Sequence, residues 1–252
     1  MAIARTVPRR TALVGLAGIL LARRGLADEA PAPFEPTDRY EPRTVEGWPV
    51  LINRSFPARD PGLADRTLDL LRRQLDQVAR RLPAGAVEKL KAVRIWVEED
   101  EPHHPCMVYH PDAGWLRDHG MNPEKARCVE VAGARNFLKW IDRQPWMVLH
   151  ELAHAYHDRV LPGGFANAEI KAAFDRAMRA GLYDSVARVN APKQRAYAAT
   201  NPMEYFAEAT EAYFGTNDFF PFDRPELERH DPGMTTLLGK LWGEPEAIRS
   251  FF

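Results

Sequence analysis

Five consecutive residues, His150-Glu151-Leu152-Ala153-His154, carry the chemistry this sequence advertises. On an α-helix, histidines four positions apart project from nearly the same face, because a turn takes 3.6 residues. Both imidazoles can therefore reach one metal ion. Glu151 is turned by about 100° from His150, so it misses the ion but can touch a water beside it. Two His ligands and a carboxylate base are the parts of a hydrolytic zinc site.

The neighbouring residues fit that reading. Trp146, Met147, Val148 and Leu149 precede the five, and Leu152, Ala153 and Tyr156 interleave with them. A helix apolar on nearly every side belongs in the interior. Buried imidazole and carboxylate groups need partners, and a zinc ion supplies them. Pro145 suits a first helical turn and Pro162-Gly163-Gly164 a stop, which predicts a helix over about 145–160.

A tetrahedral catalytic zinc takes three protein ligands and leaves the fourth position open. His157 is near in sequence but poorly placed on the same helix, and HExxHxxGxxH fails because His157 and Val160 occupy its last two defined positions. A later segment offers more. In Asn201-Pro-Met-Glu204-Tyr-Phe-Ala-Glu208-Ala-Thr-Glu211, the three glutamates fall at i, i+4 and i+7, on one helical face. Stacked like charges on an otherwise apolar helix call for a cation. Glu204 is assigned as the third ligand, and Glu208 as the group that accepts from a ligating imidazole or orients a neighbour; spacing alone allows the two to exchange roles. His103, His104 and His110 match no local ligand pattern and are read as loop or cleft edge.

Together, His150-Glu-Leu-Ala-His154, Tyr197 and Asn201-x-x-Glu204-Tyr-Phe-Ala-Glu208-Ala resemble the gluzincin peptidases of the anthrax lethal factor group, over residues 146–214. The resemblance implies a zincin-like α+β catalytic domain across 48–252. It implies Glu204 as third zinc ligand, Glu151 as general base, and Tyr197 as a donor to the developing oxyanion or the leaving group. The substrate is then a peptide or protein. The recognition domains of lethal factor have no counterpart here, so its choice of substrate does not transfer. Two other readings use the same residues: an inactive zinc-stabilised binding protein on a peptidase scaffold, and a zinc amidase acting on a non-protein, cell-wall amide.

The elements that must position this site are legible in outline. Strands are expected at 48–56, 92–97, 103–110 and 128–133 from their alternating or apolar character. Helices are expected at 63–82, with a cap from Asp60 or Asp65, at 167–181, from Pro202 onward behind the capping Asn201, and at 234–242. The result is a small twisted mixed sheet packed on the motif helix, followed by a helical half. A peptide would add to the sheet edge beside that helix, along either 106–110 or 129–133.

Residues 1–27 hold Arg5, Arg9, Arg10, Arg23 and Arg24 and no acid, around the apolar run 11–22 and before the small residues Gly25 and Ala27. This reads as a signal peptide, too short in its apolar core to span a bilayer. Arg9-Arg10 allows the twin-arginine route, and the destination is the periplasm or the exterior. Residues 28–47, with four prolines, read as an extended lead-in. Without the first 27 residues, 29 basic residues face 35 acidic ones, a net charge of −6. No basic run remains, which argues against nucleic acid, and no second apolar stretch is long enough for a membrane span. Two cysteines, Cys106 and Cys128, in an exported chain suggest one disulfide.

Overall fold

The computed structural model describes residues 34–244; the expected signal peptide over 1–27 and the first part of the lead-in lie outside the described residues. The chain begins with β1 (Tyr40–Val45) and β2 (Trp48–Asn53), an antiparallel hairpin. Its two-residue turn, Glu46-Gly47, has positive φ at both positions, the geometry that matches the twist of paired strands. Part of the lead-in is thus a strand rather than an extended approach. Pro42 is tolerated because β1 is an edge strand.

Three helices follow: α1 (Ser55–Arg59), α2 (Pro61–Arg81) and α3 (Ala84–Leu90). Asp60 caps α2 by accepting from the Leu63 N–H at 3.0 Å. Leu70, Leu71, Leu75 and Val78 of α2 enter the core, and its arginines pair outward with Asp69 and Asp76. Next come β3 (Ile95–Val97), β4 (Met107–His110), α4 (Ala113–Asp118), β5 (Cys128–Val131) and α5 (Ala134–Trp140). The sheet order is β1-β2-β3-β5-β4. β2, β3 and β5 run parallel, and β1 and β4 are antiparallel edges. The parallel strands read as near-continuous apolar runs, Ile95-Trp96-Val97 being buried throughout.

The second half is mostly helical: α6 (Met147–Arg159), α7 (Ala168–Arg179), α8 (Pro202–Phe214), α9 (Arg224–His230) and α10 (Pro232–Trp242), with a short hairpin of β6 (Val186–Arg188) and β7 (Ala191–Gln194) before α8. The architecture is α+β, a small mixed sheet followed by a helical region. α6 packs between β4 and α8. Gly215 ends α8, and a Cβ there would collide with the indole of Trp146 at the head of α6. Glycine is what lets these two helices close on each other.

The expected disulfide is absent: both cysteines are free and buried. Cys128 pairs with His110 at one end of the β4–β5 ladder, and Cys106 lies beyond Met107 at the other end. Four residues of strand put them on the order of 13 Å apart, well past bridging distance. Cys106 meets Met147 Sδ at 3.7 Å, whereas Cys128 Sγ points to the Ala126 carbonyl at 3.4 Å. Among the described residues no helix is long and apolar enough to cross a membrane.

Candidate metal centre

His150 to His154 lie in the middle of α6, as the apolar flanks require. Glu204 sits in the first turn of α8, which Asn201 caps by accepting from the N–H groups of Met203 and Glu204 at 2.8 and 2.9 Å. Pro202 occupies the first helical position, where no N–H is needed. These local signals fix where α8 starts, and with it the height of Glu204 above α6.

The donor atoms converge. Glu204 Oε2 lies 3.1 Å from His150 Nε2 and 3.3 Å from His154 Nε2. Ligand atoms about 2.05 Å from a tetrahedral ion stand roughly 3.3 Å from each other. Both Glu204 distances match that spacing, the three donor atoms all lie within 4.8 Å of one another, and His150, His154 and Glu204 form a candidate metal-binding group. Glu204 is held well below the ordinary carboxylate range: burial pushes it up, but the two imidazoles beside it outweigh burial. His150 Nδ1 lies 2.7 Å from Glu211 Oε1. That bond fixes the proton on Nδ1 and frees Nε2 to bind metal. Donor set, spacing and tautomer all suit a divalent zinc-like ion.

Sequence spacing assigned the imidazole contact to Glu208, and the structure gives it to Glu211. Glu208 Oε1 is 3.9 Å from His150 Nδ1, beyond hydrogen-bond range, and Oε2 instead accepts from Asn217 Nδ2 at 3.1 Å. Helix geometry explains the difference. Positions 204 and 211 differ by only about 20° around α8, so both reach the same ring, whereas 208 is about 40° off that line. Burial and the neighbouring Glu211 push Glu208 well above the usual carboxylate range, and burial raises Glu211 as well.

Glu151 sits beside His150 with its carboxylate facing the edge of the sheet. Its Oε2 accepts the backbone N–H of Tyr109 at 2.8 Å. The ladder of β4 with β5 turns the peptide groups of Met107 and Tyr109 away from β5, toward this site. Sequence left two candidates for the edge beside the helix; β4 is the edge, and β5 is interior. Tyr109 was not singled out from sequence, since its contact with Glu151 uses only the backbone. Tyr197 stands in a 3-10 turn before α8, its ring 6.3 Å from that of His150 and 47% exposed. Partial burial of its phenol and the charge of Glu204 raise it above its ordinary range.

His150, Glu151, Tyr197, Glu208 and Glu211 share a cavity of about 200 Å³ with Cys106, Met107, Trp140, Gln144 and Met147. His157 is not part of it. Its ring is fully buried, has no hydrogen-bond partner, and packs 5.1 Å from Phe165 and 5.0 Å from Phe206. Burial and the nearby His154 push it down to about 4. His103, His104 and His110 join no metal-binding group among the described residues. His110 is buried against Glu130 at 2.6 Å, within an ionic cluster with Lys125 and Glu98.

No family model and no curated protein matches this chain. Among solved structures, the Pro-Pro endopeptidase PPEP-2 from Paenibacillus alvei aligns with 77% of this chain and 96% of its own, at 19% identity and a TM-score of 0.39.

Proposed function

We propose that this chain is an exported zinc-dependent peptidase of the gluzincin type, with His150, His154 and Glu204 as ligands. The observation that carries the reading is the convergence of three donor atoms within 4.8 Å of one another, with Glu204 at coordination spacing from both histidines and Glu151 one position along the same helix. Bound there, zinc supplies Lewis acidity, acidifying water toward neutrality and polarising a carbonyl. Glu151 takes the proton from the attacking water and delivers it to the departing amine. Its hydrogen bond to Tyr109 holds the carboxylate at the strand edge where a substrate carbonyl arrives. Tyr197, partly exposed at the mouth of the cavity, donates to the oxygen on which negative charge develops. Glu211 keeps His150 in its metal-binding tautomer.

The substrate peptide adds as a strand to the free edge of β4. Tyr109 has committed its N–H to Glu151, so Met107 is the position on that edge left to pair with it. The arginine-flanked apolar run in 1–27 supports export.

The test uses residues 28–252 loaded with zinc against an unbiased peptide mixture read by mass spectrometry, beside Glu151→Gln with its zinc content checked. Cleavage by the wild type alone is expected. No cleavage by either, with one zinc bound in both, refutes the peptidase reading and favours a binding protein or a narrow amidase.

A further inference from the structure

A second concavity lies at the end of the sheet where β3 and β5 begin. It has a volume of about 580 Å³, and neither Glu151 nor any of the three candidate ligands lines it. The strand register builds its floor. Val50 pairs with Ile95 and Ile95 with Val129. One residue earlier, Pro49, Arg94 and Cys128 therefore stand side by side, on the face of the sheet that carries Trp96.

Arg127 and Arg159 stand at the rim. Arg159, the last residue of α6, donates to the carbonyls of Arg127 and Ala92 at 2.9 and 3.1 Å, across the lead-ins to β5 and β3. Backbone carbonyls hold a guanidinium in place without neutralising it. Of the three arginines only Arg127 is ion-paired among the described residues, with Asp158 at 3.2 Å, and its side chain stays 55% exposed. Arg94 makes no hydrogen bond through its side chain among the described residues and lies 5.9 Å from the centroid of the Trp96 ring. Burial raises the Cys128 thiol, and the charges of Arg94 and Arg159 both act against that rise, so the two half-buried guanidiniums converge on one floor. Glu124, the one acid on the rim, is exposed to solvent. Like charges gathered in a half-buried concavity repel unless an anion joins them.

A guanidinium presents its N–H donors in a planar fork that fits two phosphate oxygens at once. Arg159 has spent two of its five N–H groups on carbonyls, and Arg94 has all five free for a ligand. We propose that this concavity binds a doubly charged phosphate group, free or as the head of a small ester, between Arg94, Arg127 and Arg159. A dianion matches the two guanidiniums that lack an acid, and the short side chains of Ala92 and Ala126 leave space for an organic remainder. The site stands or falls independently of the peptidase reading, since the two share no residue.

The test is calorimetric titration of the full chain at pH 8 and constant ionic strength, with inorganic phosphate, glycerol 3-phosphate and acetate as probes. Phosphate should bind at least about tenfold more tightly than acetate. Arg94→Gln gives up no hydrogen bond within the protein and should weaken phosphate at least about tenfold. Arg94→Lys should weaken it less, because it keeps the charge and loses only the paired donors. Arg80→Gln, on α2 outside the concavity, should leave the affinity unchanged. Circular dichroism confirms that each variant folds. Tighter binding of glycerol 3-phosphate than of inorganic phosphate identifies an ester as the occupant, and the reverse identifies the free ion. No phosphate binding, acetate as tight as phosphate, or an affinity that Arg94→Gln leaves intact overturns the proposal. An Arg80→Gln loss as large as that of Arg94→Gln overturns it too, because the attraction would then belong to the whole surface.

Discussion

Exchanging Glu211 for glutamine separates two assignments for the residue behind His150. Glu211 is 3% exposed and accepts from His150 Nδ1 at 2.7 Å. A hydrogen bond to a charged acceptor contributes about 1.5–3 kcal/mol and a neutral one about 0.5–1.5 kcal/mol. Glu211→Gln keeps the geometry and loses the difference, about 1–1.5 kcal/mol. Because the proton on Nδ1 holds His150 ready to bind through Nε2, that difference appears in metal affinity, as about a tenfold rise in the zinc Kd. Glu208→Gln gives up no hydrogen bond to the imidazole, since its nearer oxygen is 3.9 Å away, and should change the Kd by less than about threefold. The assay is competition against a chromophoric zinc chelator at pH 7.5, with urea unfolding run alongside to confirm that both variants fold. A Glu208→Gln loss equal to or larger than that of Glu211→Gln would falsify this account of the site.

Three further outcomes follow from the same geometry. Tyr197→Phe should lower kcat on the order of a hundredfold with little change in KM or zinc content, because in the proposed mechanism its phenol acts on charge that appears only in the transition state; a KM effect alone would make it a packing residue. His157 resists protonation down to about 4 when folded and accepts a proton near 6.5 when unfolded, so stability should fall as pH drops from 6.5 toward 4. At pH 5 the loss is about 2 kcal/mol relative to pH 8, and His157→Leu should abolish that part of the pH dependence in urea melts; an unchanged pH profile would count against the buried neutral ring. Thiol titration without reductant should find both Cys106 and Cys128 after unfolding and little reactivity before, and no thiol in the unfolded chain would restore the disulfide.

What could be read from sequence were features written in local chemistry. α6 and α8 announced themselves through apolar flanks, Pro145, Asn201 and Pro202, and the histidine and glutamate spacings lie on those helices. What could not be read depends on neighbours distant in sequence. β1 has a burial pattern that is mostly exposed along its middle and carries Pro42, so nothing distinguishes it from coil until β2 pairs with it. β6 and β7 are three and four residues long, and β7 is exposed throughout. The cysteine count was silent about distance, which strand pairing alone decides. Spacing put Glu204, Glu208 and Glu211 on one face, but choosing among them needs the angle at which α8 meets His150. A 20° against a 40° offset is below what periodicity resolves.

Tyr109 shows how the site is held by groups with no signature of their own. Its backbone N–H holds Glu151 at 2.8 Å, and its hydroxyl donates to Asp158 Oδ2 at 2.6 Å. Asp158 is seven residues beyond Glu151, two turns along the same face of α6. The edge strand is therefore fastened to the helix at two points about 10 Å apart, and neither can slide or rotate without breaking one of them. Arg127, just before β5, adds a third strut by donating to the same Asp158 oxygen at 3.2 Å. Burial and the Asp158 charge raise the Tyr109 phenol above its ordinary range, so it stays a donor. In the proposed function, a peptide aligned on β4 would meet a base whose position was set before it arrived, which lowers the entropic cost of reaching the reactive geometry. Sheet and helix serve the proposed chemistry through this joint: the strand sets where the substrate lies, the helix sets where metal and base lie, and one tyrosine fixes the distance between them.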